Sequence, residues 1–500
     1  MGGPRSVPPD HARAPGRPVS LSPRSLASRP RRLLATLFAA LIVGALWVWV
    51  AAVVPVAAAD PTPSPDPSAS VEPSPSPDPS PTPSPTPDVP SWPTTITTLD
   101  ETVQLYGRGY GHGVGLSQYG ARGRALAGQS ADEILTTYFT GATTATTKPT
   151  RNVRVRLMTG FRATSKSPLR IYGRGGDWEI KGIDGTYPAD AQLRIWRVKK
   201  VVNGVTVTFW RLRVKALDGT RLLSTRVTKR VVVRPVATTT VLQLFSKPSA
   251  YDTYRGRLKV FLRTATVKVV NHVPLDDYLR GVVPVEMPPS WPTAALQAQT
   301  VSSRSYAVRR LHPRRGTFDL YDDTRSQVYR GTKAERSETD AAIADTSGEI
   351  LMSGSSVVNA FYHSTGGGAT EDNEYAWVSS SGKLVAGPVS YLRGIEDVAP
   401  DGTAYDAAAP RYAWTTSPIS RETLSAMMAS DPRTAVGDLQ RLNLTHRGVS
   451  GRLYRVALYG SEGKKVVSAD VFRAVYNANR PAGTRALLSN LFNLSPLPAP

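Results

Sequence analysis

The sequence predicts an α+β protein, namely a β-rich domain with several short helices and antiparallel sheets, preceded by a single hydrophobic helix and a proline-rich linker. Three observations lead to this prediction. Apolar and polar residues alternate with period two between residues 152 and 270, which is typical of strands. Short helix-period segments follow from Leu275 onward. An uncharged apolar run and a proline-rich run precede both regions.

Composition limits the class of protein. A chain of 500 residues is too long for one ordinary core, and the absence of cysteine excludes disulfides, thiolate nucleophiles and zinc sites built on sulfur. The formal net charge of +22 raises the question of a nucleic-acid partner. The basic residues are spread through strand-like segments without a reader helix or zinc finger, so a solvated basic face is favoured and no nucleic acid is expected. Such a face also suits an anionic bacterial cell wall.

The N-terminal part of the sequence indicates that the protein is exported from the cytoplasm. Residues 1–32 are rich in arginine and proline and are predicted to be disordered. The apolar run at 33–59 is interpreted either as a signal peptide ending near Ala59 or as one transmembrane anchor, which its length favours. Both interpretations place the rest of the chain outside the cytoplasm, in the cell envelope, either anchored in the membrane by one helix or secreted.

Residues 60–93 form the predicted linker. Proline at nearly every second position prevents helices and central strands and favours an extended polyproline II conformation. At about 3.1 Å per residue this spacer is about 100 Å long when fully extended. A spacer of this kind suits a target that lies away from the membrane.

Residues 94–150 form a predicted Gly-His block around GRGYGHGVGLSQYGARG, in which glycines alternate on both sides of His112. If the segment is extended, one face carries no side chains and a flat guest can approach the backbone; alternatively, the glycines relieve packing in a tight turn. The run matches neither the dinucleotide fingerprint nor a P-loop, so nucleotide binding is not expected. SADEILTTYFTG predicts a helix with a Ser130–Glu133 capping box and a stop at Gly141. Residues 142–150 are predicted to be a threonine-rich linker.

Residues 151–500 form the second predicted unit, with a catalytic-type core at 251–400. Segments such as VRVRLM, VTVTFWRLRV and KRVVVRPV predict an antiparallel sheet region. LDDYLRGVV, SWPTAALQAQTVSSRSYAVRRL and ERSETDAAIADT predict helices, the second with Ser290 as N-cap and Pro292 in its first turn. GEILMSGSSVVNAFYHSTGGG predicts a hairpin, and the C-terminal segments GRLYRVALYG, KKVVSADVFRAVYN and TRALLSNLFNL predict strand, strand and short helix.

Glu286 is the first candidate for chemistry, because it lies between apolar Val285 and Met287 in a proline-stiffened loop. Apolar surroundings raise the pKa of a carboxyl group, which makes it a proton donor near neutral pH. The alternative, which spacing alone favours, is that Glu286 caps the helix that follows. Trp291 offers a flat face for a sugar ring.

The segment NAFYHSTGGGATEDNEYAW offers a polar binding loop at His363 and Ser364, although a hydrogen-bonded hairpin histidine is the commoner arrangement. No G-x-S-x-G elbow supports serine catalysis. The spacing of His112 and His363 gives no support for a metal site.

Several blocks together carry a family resemblance: VKVVNHVPLDDYLRGVVPVEMPPSWPTAALQAQTVSSRSYAV, YDDTRSQVYRG, AFYHSTGGGATED and GRGYGHGVGLSQYGARG. They touch much of residues 100–495 and resemble the stage II sporulation protein D / LytB amidase-enhancer family. The resemblance implies a peptidoglycan lytic transglycosylase that prefers glycan strands stripped of stem peptides and leaves a 1,6-anhydro-muramic product. The glutamate of the family's P-x-E-M-P-x-S-W-P block maps onto Glu286, which is expected to be the catalytic acid and base.

The resemblance also leaves a second function open, since the family includes non-catalytic modifiers of an N-acetylmuramoyl-L-alanine amidase. Expected partners are peptidoglycan strands, a cell-wall amidase and, through residues 33–59, the membrane. The expected substrate-binding residues are His112, Ser117, Gln118, Tyr119, Trp291, Gln299, Arg304, His363 and Ser364.

The sequence departs from the family pattern in three ways. The Gly-His block precedes the catalytic-type core instead of following it, and residues 294–300 lack the charges that the family helix often has. Some relatives hold zinc with cysteines near the His-Ser-Thr loop, whereas this chain has Gly366 there and no cysteine. No metal and no cofactor are therefore expected.

Overall fold

The computed structural model describes residues 92–147, 152–312 and 316–500. The predicted segments at 1–32 and 33–59, and the predicted linker up to residue 91, lie outside the described residues. Across the described ranges, no helix combines the length and apolar character needed to cross a bilayer. This part of the chain is β-rich with several short helices and mostly antiparallel sheets, as the sequence predicts.

The strands are short and numerous. In chain order the first fourteen are β1 Thr97–Thr98, β2 Thr102–Val103, β3 Tyr106–Arg108, β4 Leu116–Ser117, β5 Thr143–Thr146, β6 Val153–Phe161, β7 Leu169–Arg174, β8 Trp178–Ile180, β9 Thr186–Tyr187, β10 Gln192–Val202, β11 Val205–Lys215, β12 Arg221–Val227, β13 Arg230–Pro235 and β14 Val241–Gln243. The others are β15 Thr253–Tyr254, β16 Arg257–Leu262, β17 Val267–Val273, β18 Leu320–Tyr321, β19 Glu349–Ser353, β20 Ser356–Val357, β21 Tyr362–His363, β22 Ala413–Thr415, β23 Ile419–Ser420, β24 Leu439–Asn443, β25 Arg455–Gly460, β26 Gly463–Ser468 and β27 Phe492–Asn493.

The helices lie mainly outside the central β region. They are α1 Gln118–Leu126, α2 Ala131–Tyr138, α3 Leu275–Arg280, α4 Val283–Glu286, α5 Thr293–Arg309, α6 Ser337–Asp345, α7 Asn373–Ala376, α8 Arg421–Ala429 and α9 Ala469–Asn479, with a 3-10 turn at Gly331–Ala334.

Two large sheets share the first hydrophobic core. One has six strands in the order β12-β11-β10-β7-β14-β15, and the other has seven in the order β18-β6-β17-β16-β13-β8-β9. Alternation directs Leu193 and Leu212 of the first sheet and Val233 and Val260 of the second into this core. The core continues into α3 and α4, and this contact holds the turn that carries Glu286.

The Gly-His block is woven into the rest of the described chain. Strand β3 pairs with β22 and β27, and β4 pairs in parallel with β21. Helices α1 and α2 pack on α5, and their apolar residues form a third core with Met287. A second core joins residues near 99–105 to the C-terminal strands and helices. The predicted domain boundaries stay predictions.

Local signals predicted several elements correctly and others incorrectly. The Ser130–Glu133 capping box is present at the start of α2, and the helices predicted near 275, 293 and 337 form. Helix α2 ends at Tyr138 instead of running to Gly141, and Pro292, not Ser290, precedes α5, without a side-chain cap. The threonine-rich segment 142–150, predicted to be a linker, contains strand β5. This strand forms because it pairs with β19, a partner that the local sequence does not reveal.

The C-terminal prediction also needs one correction. The predicted strands contain β25 and β26, but the last helix is α9, which begins directly after β26 with Ser468 as its N-cap. The segment TRALLSNLFNL, predicted to be helical, contains β27 instead, which pairs with β3. Pairing with a distant strand overrides the local helix preference there.

Candidate functional site

Glu286 lies at the end of the four-residue helix α4, between two cores. Val283 belongs to the core of the large sheets, whereas Met287 belongs to the core under α5. The interpretation of Glu286 as a helix cap is wrong, because Pro292 is the N-cap residue of α5 and no side chain caps this helix. Glu286 Oε1 instead accepts a hydrogen bond from the Val328 backbone N–H at 3.4 Å.

The environment of Glu286 favours its protonated form. Burial raises the pKa of this carboxyl above its usual value because the charged form is desolvated. Hydrogen bonds from Tyr362, Val328 and Gln118 oppose the shift without reversing it. A half-buried carboxyl with a raised pKa and hydrogen-bond donors already in place is suited to releasing a proton and taking one back.

Gln118 reaches Glu286 from the first turn of α1. Its side-chain amide also donates to Gln299 Oε1 at 3.3 Å, and Gln299 Nε2 donates to Ser303 Oγ at 2.9 Å. Both Gln299 and Ser303 are fully buried on α5. The structure thus brings together two predicted residues, Gln118 and Gln299, with Glu286, and Gln299 acts by positioning Gln118.

Tyr362 supports Glu286 from the other side. Its hydroxyl oxygen accepts from Gln327 Nε2 at 3.1 Å, and Gln327 Oε1 accepts from the Tyr278 hydroxyl at 3.1 Å. Burial raises the pKa of Tyr362 well above its usual range, so the phenol stays protonated. Since its oxygen already accepts from Gln327, the hydroxyl proton is available to Glu286.

A cleft of about 470 Å³ opens in front of Glu286. It is lined by His112, Glu286, Tyr306, Arg310, Thr324, Arg325, Ser326, Val328, Phe361, Tyr362 and Trp377. Glu286 is the only carboxylic acid among these described lining residues. Apart from Val328, the other lining residues are aromatic, cationic or hydroxyl-bearing.

His112 belongs to the aromatic wall of this cleft. Its ring centroid lies 5.5 Å from that of Trp377 and 6.0 Å from that of Phe361. Burial and the nearby Arg452 lower the pKa of His112 to about 4, so the imidazole is neutral at pH 7. Its Nδ1 accepts from the Val114 N–H at 3.0 Å, which fixes the ring.

Arg310 is the cation held inside the cleft. Its guanidinium lies 3.4 Å from the centroid of the Tyr306 ring, and its Nη1 donates to Asn359 Oδ1 at 2.6 Å. Arg325, by contrast, is paired with Asp323 at 2.5 Å. Among the described residues Arg310 has no acidic ion-pair partner, so its charge remains available to a ligand.

Several predicted substrate-binding residues lie behind the cleft. Ser117 caps α1 and also accepts from the Gly366 N–H at 3.2 Å. Arg304 is fully buried and bonds Asp276 at 3.2 Å. His363 is buried with its Nδ1 3.3 Å from the Val114 carbonyl oxygen, and burial lowers its pKa well below the usual value. These three side chains contact other residues of the protein and do not line the cleft.

The remaining predicted residues lie elsewhere. Tyr119 and Trp291 contact each other with ring centroids 4.7 Å apart, and both are partly exposed. Neither lines the cleft. Ser364 is partly exposed, and its carbonyl accepts from the Tyr119 N–H at 3.0 Å. His112 and His363 lie 5.5 Å apart, but the described residues contain no cluster of metal-ligating side chains.

The expected bare face of the glycine run does not form. Gly109, Gly111, Gly113 and Gly115 have positive φ, so the segment is not an extended strand. Its glycines are close to protein: a Cβ on Gly107 would lie 2.3 Å from the Trp414 ring, and one on Gly113 would lie 2.6 Å from the Arg452 guanidinium. The alternative interpretation, in which the glycines relieve close packing in a tight turn, therefore describes this segment. Among its residues, His112 lines the cleft.

Five of the cleft-lining residues are not predicted from the sequence: Tyr306, Arg310, Phe361, Tyr362 and Trp377. Phe361 and Tyr362 directly precede His363, which is the residue that the motif predicts as substrate-binding. Tyr362 and His363 are neighbours on β21 and point to opposite sides, so Tyr362 faces the cleft and His363 does not. The motif located the correct strand but not the side of the strand that faces the cleft.

Replacing Glu286 with glutamine is expected to stabilise the fold at neutral pH. The folded-state pKa of Glu286 is raised, so ionisation costs stability as pH rises through that pKa, and a glutamine avoids the cost. Urea unfolding should show a higher midpoint for Glu286→Gln at pH 7 and a shrinking difference toward pH 4. Glu133→Gln should instead lower the urea midpoint at pH 7, because Ser130 lowers the pKa of this capping carboxylate. Equal midpoints at pH 7 would contradict the burial argument.

Comparison with known proteins gives matches in the central region. Residues 263–352 match the family described as Stage II sporulation protein (SpoIID). The amidase enhancer of Bacillus subtilis (strain 168) is 41% identical over 108 residues, which are 22% of this chain and 14% of that protein. Stage II sporulation protein D of the same organism is 32% identical over 167 residues, covering 30% of this chain and 44% of that protein.

A third relative, an uncharacterized protein of Brachyspira hyodysenteriae (strain ATCC 49526 / WA1), is 33% identical over 123 residues, covering 24% of this chain and 33% of that protein. The matched regions thus span less than half the length of each of these relatives. No solved structure matches the chain significantly. These matches confirm the resemblance to the stage II sporulation protein D and LytB amidase-enhancer family, and residues 263–352 are the part of the chain that the family model matches.

Proposed function

We propose that this protein is a peptidoglycan lytic transglycosylase with Glu286 as its acid and base. The observation that supports this most directly is a half-buried carboxyl, whose pKa is raised by desolvation, in a cleft whose described lining includes no second carboxylic acid. Ordinary glycosidases flank the scissile bond with two carboxyl groups, one of which activates water or attacks the sugar. A transglycosylase needs only one, because the nucleophile is a hydroxyl of the substrate.

The proposed reaction proceeds in two proton transfers. Glu286 donates its proton to the glycosidic oxygen, and the bond between that oxygen and C1 of the muramic residue breaks. The C6 hydroxyl of the same residue then bonds to C1, and its proton passes to the Glu286 carboxylate. The products are a free 4-hydroxyl on one strand and a 1,6-anhydro-muramic end on the other, with no water consumed.

The cleft suits a strand that has lost its stem peptides. Removal of a stem peptide leaves a free lactyl carboxylate on the muramic residue, and Arg310 offers a cation without an acidic partner among the described residues. Trp377 and Phe361 offer aromatic surfaces against which a sugar ring can pack. We place this activity in the cell envelope, with residues 33–59 as anchor or export signal and 60–93 as spacer.

Product analysis tests the proposal. The full chain, purified in detergent, is incubated with intact wall and with glycan strands freed of stem peptides, and the products are identified by mass spectrometry. Anhydro-muramic ends from the stripped strands are expected. Hydrolytic, reducing muramic ends, or the absence of cleavage, would contradict the proposal.

The alternative function is a non-catalytic enhancer of a cell-wall amidase. It is favoured by the 41% identity to a protein named amidase enhancer. In that case the cleft binds glycan without cutting it. Retained glycan binding without any cleavage, together with faster release of stem peptides by an added amidase, would support this alternative.

Replacing Arg310 with glutamine is expected to reduce kcat/KM on stripped strands by about tenfold, since a charge-assisted hydrogen bond contributes about 1.5–3 kcal/mol. The reduction should be smaller on strands whose lactyl group still carries a peptide, because no carboxylate is free there. Arg309→Gln, an exposed neighbour on α5, serves as the control with the same charge change. Equal effects of the two variants would contradict carboxylate binding by Arg310.

A further inference from the structure

The outer face of the six-stranded sheet has no role in the proposed reaction. Alternation buries Leu169, Ile171, Leu193 and Leu212 against the second sheet. The residues between them point away from that core and are partly exposed. The arginines among them, together with exposed Arg226 of β12, form what we call the arginine face, composed of Arg170, Arg194, Arg211, Arg213 and Arg226.

Register places these arginines side by side. Arg194 of β10 is directly opposite Arg170 of β7 on one side and Arg213 of β11 on the other. Arg211 is opposite Arg226 of β12. With neighbouring strands about 4.8 Å apart, three like charges lie in one row across the sheet. Like charges directly opposite each other destabilise a sheet, so this row opposes folding in the absence of a counter-charge.

The counter-charge is missing from the described protein. The Nε atoms of Arg170, Arg194 and Arg213 are buried and have no hydrogen-bond partner among the described residues. None of the five arginines forms an ion pair there, whereas Arg174, at the edge of the same face, is paired with Asp190. An external anion would supply the counter-charge that the described residues do not provide.

Aromatic rings on this surface are covered by guanidinium groups. Arg213 lies over Trp196 at 5.4 Å, Arg226 over Phe209 at 4.2 Å and Arg170 over Phe245 at 5.0 Å, each measured to the ring centroid. These cation–π contacts position the three guanidinium groups on the surface of the sheet. They also occupy ring faces on which nucleic-acid bases would stack, so a polyanion without bases is favoured.

The charged surface continues into a groove. Next to Arg226 lies a depression of about 400 Å³ lined partly by Lys181, Lys229 and Arg230, and its described lining contains no acidic residue. The row of arginines and the groove form a continuous basic path. A path of this kind suits a linear polymer rather than a single small anion.

We propose that the arginine face binds a linear phosphodiester polymer of the cell wall and holds the protein there while the cleft acts on glycan. The choice of a wall polymer rests on the proposed location and function, whereas the anion-binding face itself stands on the arginine geometry. Each guanidinium can pair with phosphate oxygens through two N–H groups. The polymer binds without any covalent change.

The test measures binding of purified poly(glycerol phosphate) to the full chain in detergent over a series of salt concentrations. The variant R170Q/R194Q/R213Q is compared with R441Q/K464Q/K465Q, which removes three exposed charges from the sheet of β24 to β26. The first should bind at least tenfold more weakly. The slope of log K against log salt should fall by about 2, since each lost contact with a single-stranded polyanion contributes about 0.7. The control should stay within about twofold of the wild type by the same argument.

The variant R170K/R194K/R213K controls for misfolding of the glutamine variant. It keeps the three positive charges, so the slope of log K against log salt should stay close to that of the wild type. Equal losses in the glutamine variant and its control would overturn the proposal. So would tighter binding of an oligo(dT) of equal charge, or of phosphatidylserine vesicles, that depends on the same arginines. Glu286→Gln should leave polymer binding unchanged. Cleavage without polymer binding would therefore refute only this inference, and polymer binding without cleavage would refute only the proposed function.

Discussion

Glu286→Gln is expected to reduce the formation of anhydro-muramic ends by about a thousandfold, within the range that general acid–base groups contribute. Glutamine has nearly the same shape and accepts the hydrogen bond from Val328, but it cannot donate a carboxyl proton or take one back. Glycan binding should persist, because the aromatic wall and Arg310 are unchanged. The rate is measured on stripped strands by quantitative mass spectrometry, and binding is measured by fluorescence anisotropy with a labelled strand.

Glu422→Gln is the matched control, since Glu422 is a surface glutamate on α8 and does not line the cleft. It should retain wild-type activity. If Glu286→Gln kept more than about a tenth of the wild-type rate, Glu286 would not have the proton-transfer role, because such a loss is below the usual range for that role. Loss of glycan binding in the variant would instead indicate a damaged cleft.

Gly115→Ala is expected to destabilise the protein by about 3 kcal/mol, combining left-handed backbone strain with a steric clash. Gly115 has a φ of +71°, and a Cβ there would lie 2.3 Å from the Phe361 carbonyl oxygen. Backbone cannot move away as a flexible side chain can. Because Phe361 and Tyr362 line the cleft, the substitution should also reduce activity in the fraction that still folds.

Urea unfolding of the full chain measures this loss, with Gly128→Ala as control. Gly128 also has positive φ, at +87°, but a Cβ at that position would have no atom of the described residues within 4 Å. The control should lose only the strain contribution of about 1 kcal/mol. If the two variants unfold at the same midpoint, close packing of the glycine run against β21 is not what requires glycine at position 115.

Elements whose causes lie within a few residues were predictable. The Ser130–Glu133 capping box uses a side chain and a backbone group three residues apart, and it forms as predicted. The period-two segments became strands because alternation alone specifies which side of each strand is buried. Helix α5 was predicted from its apolar positions, although its N-terminal boundary was misplaced by two residues from Ser290 to Pro292.

Elements that depend on a distant partner were missed. Strand β5 forms in a threonine-rich stretch because β19, about two hundred residues later, pairs with it. The glycine run follows the same reasoning, since Trp414 and Arg452 determine how close its backbone lies to its neighbours. Neither partner is recognisable from the local pattern.

The candidate site divides in the same way. By itself the sequence determined the family resemblance, the β-rich architecture and Glu286 as the candidate acid, because these follow from local patterns and from a continuous motif. Only the tertiary structure decided which side chains surround Glu286: it brought Tyr362 and Arg310 to the cleft, placed Gln118 within hydrogen-bond reach of Glu286, and left Arg304 and His363 behind the cleft. The physical reason is that desolvation and hydrogen bonding act over a few ångströms in space, and strand parity and long-range pairing determine which residues meet there.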